Sequence, residues 1–203
     1  MIRNEIDPEQ ESEWLAAAQN KDSEAFGHLV EMYQNPVYNL CYRMLGDPDE
    51  AEDASQESFM RAFFSIKRYD NRRSFSTWLL SIAAHYCIDQ LRRRRVKLIP
   101  IQDMPYEDFA DPAPNPEAVT SIHEDQKKVR ALLEGLNPTD RAAVIFFYWY
   151  DISYDQIAET LNLTVSAVKS RLHRAREEMA KTYIRQPNNS GSFGRRGNES
   201  PAY

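Results

Sequence analysis

The stretch Ser153-Tyr154-Asp155-Gln156-Ile157-Ala158-Glu159-Thr160-Leu161-Asn162-Leu163-Thr164-Val165-Ser166-Ala167-Val168-Lys169-Ser170-Arg171-Leu172 decides the fold class. Ser153 followed three residues later by Gln156 has the spacing of a capping box, in which each side chain caps a backbone N–H at a helix start. Ile157, Ala158 and Leu161 then give the helix one apolar face. Asn162-Leu163-Thr164 reads as a tight turn, because Asn tolerates the left-handed conformation a turn needs. Val165, Val168, Leu172, Ala175 and Met179 follow at three- and four-residue steps, which predicts a longer helix. A short helix, a three-residue turn and a longer basic helix form the helix-turn-helix pattern. With the apolar stripe turned inward, Ser166, Lys169, Ser170, Arg171, His173 and Arg174 are expected to face outward. Arg and Lys pair with guanine edges or phosphates, and Ser serves either.

Working outward, the rest of the chain also reads as helix. Ser121 to Glu134 carries Ile122, Val129, Leu132 and Leu133, and Pro138 can start a helix ending near Tyr150. Upstream, Asp47-Pro48-Asp49-Glu50 is a helix start with Asp as cap and Pro at the first position, and Gly46 is a natural stop for the helix before it. The helix from Pro48 turns Ala51, Ala54, Phe59, Ala62, Phe63 and Ile66 largely to a core. It leaves Asp53, Gln56 and Glu57 together outside. Another helix starts near Ser74 or Ser76 and carries Trp78, Leu79, Ile82, Ala83, Tyr86 and Leu91. It runs into Arg92-Arg93-Arg94-Arg95. Rings beside a basic run suit single-stranded DNA, since bases stack on aromatics while phosphates meet Arg. Trp78 also lies on the apolar stripe, which argues for the core.

The division of the chain is compositional. Pro100 to Pro116 is acidic and proline-rich, which suits a linker and not a packed core. Pro187 to Tyr203 is a second low-complexity segment. We therefore expect an all-α protein of two helical domains: a flexible N-terminus over 1–11, a first domain over 12–97, a flexible acidic linker over 98–120, a helix-turn-helix domain over 121–186 and a disordered tail over 187–203.

Bulk composition narrows the function classes. The net charge is −6, but it is segregated. Asp47 to Glu57 holds six acids and no base, whereas Arg92 to Lys97 holds five bases and no acid. A field acts over a Debye length of ~8–10 Å, so local basic patches can meet DNA on an acidic protein. The longest apolar run, Ala142 to Tyr150, falls short of the ~20 residues of a membrane span. The acidic start of the chain lacks the order of a signal peptide. A cytoplasmic protein without membrane insertion is expected. Cys41 and Cys87 are too few and too widely spaced in sequence for a disulfide framework or zinc site and read as buried thiols. No nucleophile, metal-ligand set or cofactor motif is evident, so we expect no enzyme, no metal and no cofactor.

Three segments together are similar to the extracytoplasmic-function sigma factors of RNA polymerase. Asp49-Glu50-Ala51-Glu52-Asp53-Ala54-Ser55-Gln56-Glu57-Ser58-Phe59-Met60-Arg61-Ala62-Phe63 resembles the helix of sigma region 2 that docks on the polymerase clamp helices. That likeness implies Asp53, Gln56 and Glu57 as polymerase-binding residues. Phe75 to Arg92 resembles the helix that reads the −10 element, implying Trp78, His85, Tyr86, Arg92 and Arg93 as DNA contacts. His85 stands where the family commonly has an Asn lining a pocket for a flipped base. Ile152 to Arg176 resembles region 4, which reads the −35 element, implying Ser166, Lys169, Ser170, Arg171, His173 and Arg174 there. The resemblance spans about residues 12–185. It implies core RNA polymerase (clamp helices and flap) and promoter DNA as partners, and admits an anti-sigma protein. A polymerase-independent helix-turn-helix regulator is the alternative. A recombinase would need a nucleophile that the sequence lacks, and two basic patches argue against a pure adaptor.

Overall fold

The computed structural model describes residues 8–97 and 120–185. Nearly all of the expected linker and the whole expected tail lie outside them. The described residues are helical, in the order α1 (Pro8–Gln19), α2 (Ser23–Leu45), α3 (Pro48–Ser65), a 3₁₀ turn (Ile66–Arg68), α4 (Phe75–Lys97), α5 (Thr120–Glu134), α6 (Pro138–Trp149), α7 (Tyr154–Thr160) and α8 (Val165–Arg185). The stretch expected to be flexible through residue 11 is helical from Pro8. Proline is preset for a first helical position, Glu9 and Glu11 sit in the first turn, and Glu11 accepts a 2.6 Å hydrogen bond from the Tyr33 hydroxyl.

Local chemistry sets the helix ends. The Asp22 carboxylate accepts from the N–H groups of Glu24 and Ala25 to start α2. Gly46 closes α2 at φ +82°, and its N–H donates to the Tyr42 carbonyl at 2.8 Å. A residue with a side chain resists that φ. Asp47 caps Glu50 at 2.9 Å, and Pro48 begins α3. The buried face of α3 is built largely from small residues, Ala51, Ala54, Ser55, Ser58 and Ala62, so α3 lies close against its neighbours. With α2 and α4 it encloses Leu29, Val37, Leu40, Met44, Leu79 and Ala83, all fully buried. Cys41 and Cys87 meet inside this core. The hydrogen bond to Cys41, then burial, pushes the Cys87 thiol well above its ordinary range, which keeps it protonated.

The second half forms around α6. Asn137 caps it, accepting from the Asp140 N–H at 3.0 Å. The capping box of α7 is present, with Ser153 and Gln156 bonded reciprocally. Asn162 turns the chain at φ +54°, and Thr164 Oγ1 accepts from the Ala167 N–H to start α8. Val168, Leu172 and Ala175 of α8 are buried, with Val165 and Met179 packed partly against the core. Val129 of α5 is 39% exposed and lies in a groove beside α2.

The sequence reading placed two separated modules on a tether. The structure packs them together, and α6 is the reason. Residues Asp140 through Phe146 are buried without a break. A helix apolar all round must be covered all round. One side of α6 packs on α7 and α8, the other on α2 and α4. Arg141 donates to the carbonyls of Met44 and Glu134, the Tyr150 hydroxyl donates to the Pro36 carbonyl at 2.6 Å, and Arg43 lies 5.3 Å from the Trp149 ring.

Candidate nucleic-acid interface

The outer face of α8 carries most of the residues expected there. Ser166, Lys169, Ser170, His173 and Arg174 are exposed. Lys169 Nζ rests 5.8 Å from the Tyr154 ring, which holds the ammonium over the first turn of α7. Arg171 differs. Its guanidinium turns inward to Asp140, 2.7 Å away, with side-chain exposures of 29% and 10%. Asp140 sits in the first turn of α6, where a carboxylate is favoured by the helix field, and it also accepts from the Asn137 amide. Arg171 therefore ties the outward helix to α6 instead of projecting with its neighbours. The apolar periodicity marked the side of α8 but could not show an acid beneath one edge of it.

On α4, Trp78 is half-buried, its ring 5.1 Å from Tyr69 and 5.6 Å from Phe75. The ring packs on the core, as its place on the apolar stripe suggests, and its exposed edge lines a cleft of about 360 Å³. Arg72, Arg73, Ser74, Thr77, Ser81 and His85 complete that side of the cleft. His85 Nδ1 donates to the Ser81 carbonyl at 2.8 Å. A carbonyl only accepts, so the neutral ring keeps Nε2 as an acceptor. Tyr86 is half-buried, its ring under Arg61 at 4.8 Å and its hydroxyl accepting from Gln90. It is not among the residues that line the cleft. Arg92 and Arg93 are exposed, and Arg92 reaches Thr139 Oγ1 at 3.4 Å. The helix periodicity missed Arg72, Arg73 and Ser74 because they precede α4. The loop that bears them is held by Gln19, whose amide donates to the Tyr69 carbonyl at 3.1 Å, and by the Tyr69 hydroxyl, which donates to the Arg73 carbonyl.

The third face belongs to α3. Asp53 and Gln56 are exposed and Glu57 half-exposed, with Glu57 paired to Arg61 at 2.8 Å. At 100° per residue, Asp49, Asp53, Gln56, Glu57, Met60 and Phe64 fall on one stripe opposite the buried face. Met60 is 54% and Phe64 76% exposed. The stripe is thus acidic over its first half and apolar over its second. Met60 and Phe64 escaped notice as site residues, although their spacing from Asp53 and Glu57 was readable. Among the described residues, no cluster of three or more His, Cys, Asp or Glu side chains could hold a metal, and no helix is long and apolar enough to cross a membrane.

Comparison with known proteins meets these three faces. The sequence matches Sigma-70 region 2 over residues 29–96 and Sigma-70 region 4 over residues 126–179. It is 35% identical to the ECF RNA polymerase sigma factor SigW of Bacillus subtilis, over 79% of this chain and 89% of that protein. It is 34% identical to the ECF RNA polymerase sigma factor SigE of Mycolicibacterium smegmatis, over 76% of this chain and 60% of that one. The fold is similar to CnrH bound to the cytosolic domain of CnrY, with a TM-score of 0.64 at 20% identity over 86% of this chain and 97% of the other. The sigma factor RpoE in complex with the anti-sigma factor NepR from Bartonella quintana gives 0.63 at 20% identity, over 79% and 98%. With both regions matched in order, and α3, α4 and α8 presenting the faces described, the chain belongs to the sigma-70 family, in its ECF group of RNA polymerase sigma factors.

Proposed function

We propose that this chain binds core RNA polymerase and directs initiation by reading a −35 element with α8 and a −10 element with α4 and its cleft. Ser166, Lys169, Ser170, His173 and Arg174 enter the major groove or meet its phosphates, while Arg171 orients α8 from behind. At the −10 element the strands part. Trp78 supplies a stacking edge, Arg72, Arg73, Arg92 and Arg93 meet phosphates, and the cleft takes an unstacked base. Flipping a base costs a few kcal/mol, which stacking at about 1–3 kcal/mol per base and the phosphate contacts offset. His85 Nε2, as an acceptor, favours a base with an exocyclic amino group on the edge it meets. The α3 stripe docks on polymerase through Asp53, Gln56 and Glu57, with Asp49, Met60 and Phe64 extending the contact. The chain catalyses nothing itself. It works in the cytoplasm, and an anti-sigma protein is a fitting antagonist.

The observation that carries this reading is that one chain presents a basic helix-turn-helix and, on its other module, a second surface where Arg72 and Arg73 stand beside the Trp78 ring and His85. A polymerase-independent regulator explains the first and leaves the cleft and the α3 stripe without use. The test is run-off transcription from a fragmented genomic library by core polymerase with and without this chain. Mapped 5′ ends should share two motifs at fixed spacing. No chain-dependent transcript from any fragment would overturn the proposal.

A further inference from the structure

Several surface cations of this chain meet acids. Arg61 pairs with Glu57, Arg94 with Glu50, Arg130 with Glu134 and Lys181 with Glu178. Arg176 of α8 meets a phenol instead. Its Nε donates to the Tyr148 hydroxyl at 2.9 Å. No acid pairs with it among the described residues, and its neighbours Glu177 and Glu178 turn to His173 and Lys181. Hydrogen bonds to the Tyr148 hydroxyl first, and less to the Tyr154 hydroxyl, raise the guanidinium above its ordinary value. A carboxylate partner would cancel the charge. A phenol fixes the direction of the guanidinium and leaves its charge whole.

The phenols are themselves braced. Tyr148 lies in the last turn of α6, with its ring edge-on to Phe147 at 5.0 Å. Phe147 stacks on Tyr154 at 5.1 Å, and the Tyr154 ring carries Lys169. At 100° per residue, Lys169 and Arg176 fall within about 20° of each other, on one flank of the outward face that bears Ser170 and Arg174. They stand about 10.5 Å apart along the helix axis. The other flank carries Arg171, which is turned in to Asp140. When the outward face meets base edges in a major groove, the two flanks face opposite sugar-phosphate strands. One flank therefore bears directed cations and the other does not.

We propose that Tyr148 and Arg176 clamp one backbone phosphate of the −35 duplex, which makes the end of α6 a DNA-contacting element beside α8. This rests on the reading of α8 proposed above. Arg176 spends its Nε on Tyr148 and keeps the forked end of the guanidinium for phosphate oxygens. Tyr148 accepts from Arg176 through a lone pair and keeps its own proton, which it donates to the same phosphate. Its 52% exposure leaves that proton open to a ligand. Lys169 meets a second phosphate of that strand. The clamp reads no base. It fixes how far α8 sinks into the groove and which strand it runs beside.

The test follows binding of the full chain to a fluorescent duplex by anisotropy across a salt series, and it needs no polymerase. Arg176→Ala should flatten the slope of log K on log salt by about 0.9. Lys181→Ala, on the same helix but paired with Glu178, should flatten it clearly less. Tyr148→Phe keeps every charge, so it should leave the slope as it is and lower affinity about threefold. In the Arg176→Ala background the same change should cost less than about 1.5-fold, because the two groups act as a unit. A slope change for Arg176→Ala no larger than that for Lys181→Ala overturns the clamp. Parental affinity of Tyr148→Phe also overturns it, since the pair would then only fasten α6 to α8. A second arm uses core polymerase with this chain on a promoter recovered from the library. Phosphate ethylation should interfere at one more position of one strand with the parent chain than with Arg176→Ala, and identical patterns would count against the clamp. If no fragment yields a chain-dependent transcript, the proposed function fails, while the salt series still decides the clamp.

Discussion

Replacing Arg171 with Ala should weaken the fold more than it weakens the electrostatics of DNA binding. The reason is its inward turn onto Asp140, at side-chain exposures of 29% and 10%. A fully exposed pair is worth about 0–1 kcal/mol, and removing one partner of a fully buried pair costs about 3–5 kcal/mol. This pair lies between, so Arg171→Ala should cost about 2 kcal/mol. Asp140→Ala should cost about 3 kcal/mol, because it also removes a carboxylate from the α6 N-terminus and a partner of Asn137. The double variant should cost about 3 kcal/mol, not 5, leaving a coupling of about 2 kcal/mol. Urea unfolding of the full chain, followed by far-ultraviolet circular dichroism, measures all four corners. Lys169→Ala and Arg174→Ala should stay within about 0.5 kcal/mol of the parent. Each should instead flatten the dependence of log K for duplex on log salt by about 0.9, whereas Arg171→Ala should leave that slope unchanged. Additive stability losses, or a slope change for Arg171→Ala equal to that of Lys169→Ala, would refute the assignment.

The apolar half of the α3 stripe should matter to polymerase alone. Met60→Ser with Phe64→Ser should lower affinity for core about tenfold in a competition assay, with no loss of melting temperature, because both side chains are already exposed. Alkaline pH should loosen the fold. Burial raises the Tyr33 and Tyr150 phenols above their ordinary value, so their stabilising contribution is complete below about pH 10 and is lost as pH rises beyond it. Tyr150→Phe should remove its share of that alkaline loss in a pH series of urea midpoints, while lowering stability at neutral pH by about 1 kcal/mol.

Where local chemistry governs, the sequence was a sufficient guide. Asp47 with Pro48, Gly46, and Ser153 with Gln156 each mark a helix end through atoms within a few residues of one another, and the structure forms each one. The apolar stripe of α8 likewise placed Lys169 and Arg174 outside. What escaped depends on atoms far apart in the chain. Arg171 finds Asp140 31 residues away, and Cys87 finds Cys41 across two helices. Arg73 finds Glu159 across the linker. The run Ala142 to Tyr150 was read as part of a helix and as too short for a membrane. Its other meaning, a helix needing cover on two sides, predicts packing between the modules without naming the surface that provides it.

Footprinting the reconstituted complex of core polymerase and this chain on a promoter recovered from the library tests the central claim most directly. Two separated protections are expected, one at each element, with thymines near −10 reactive to permanganate only when core and chain are both present. Full protection of one site by the chain without core, and no reactive thymines in any combination, would contradict it.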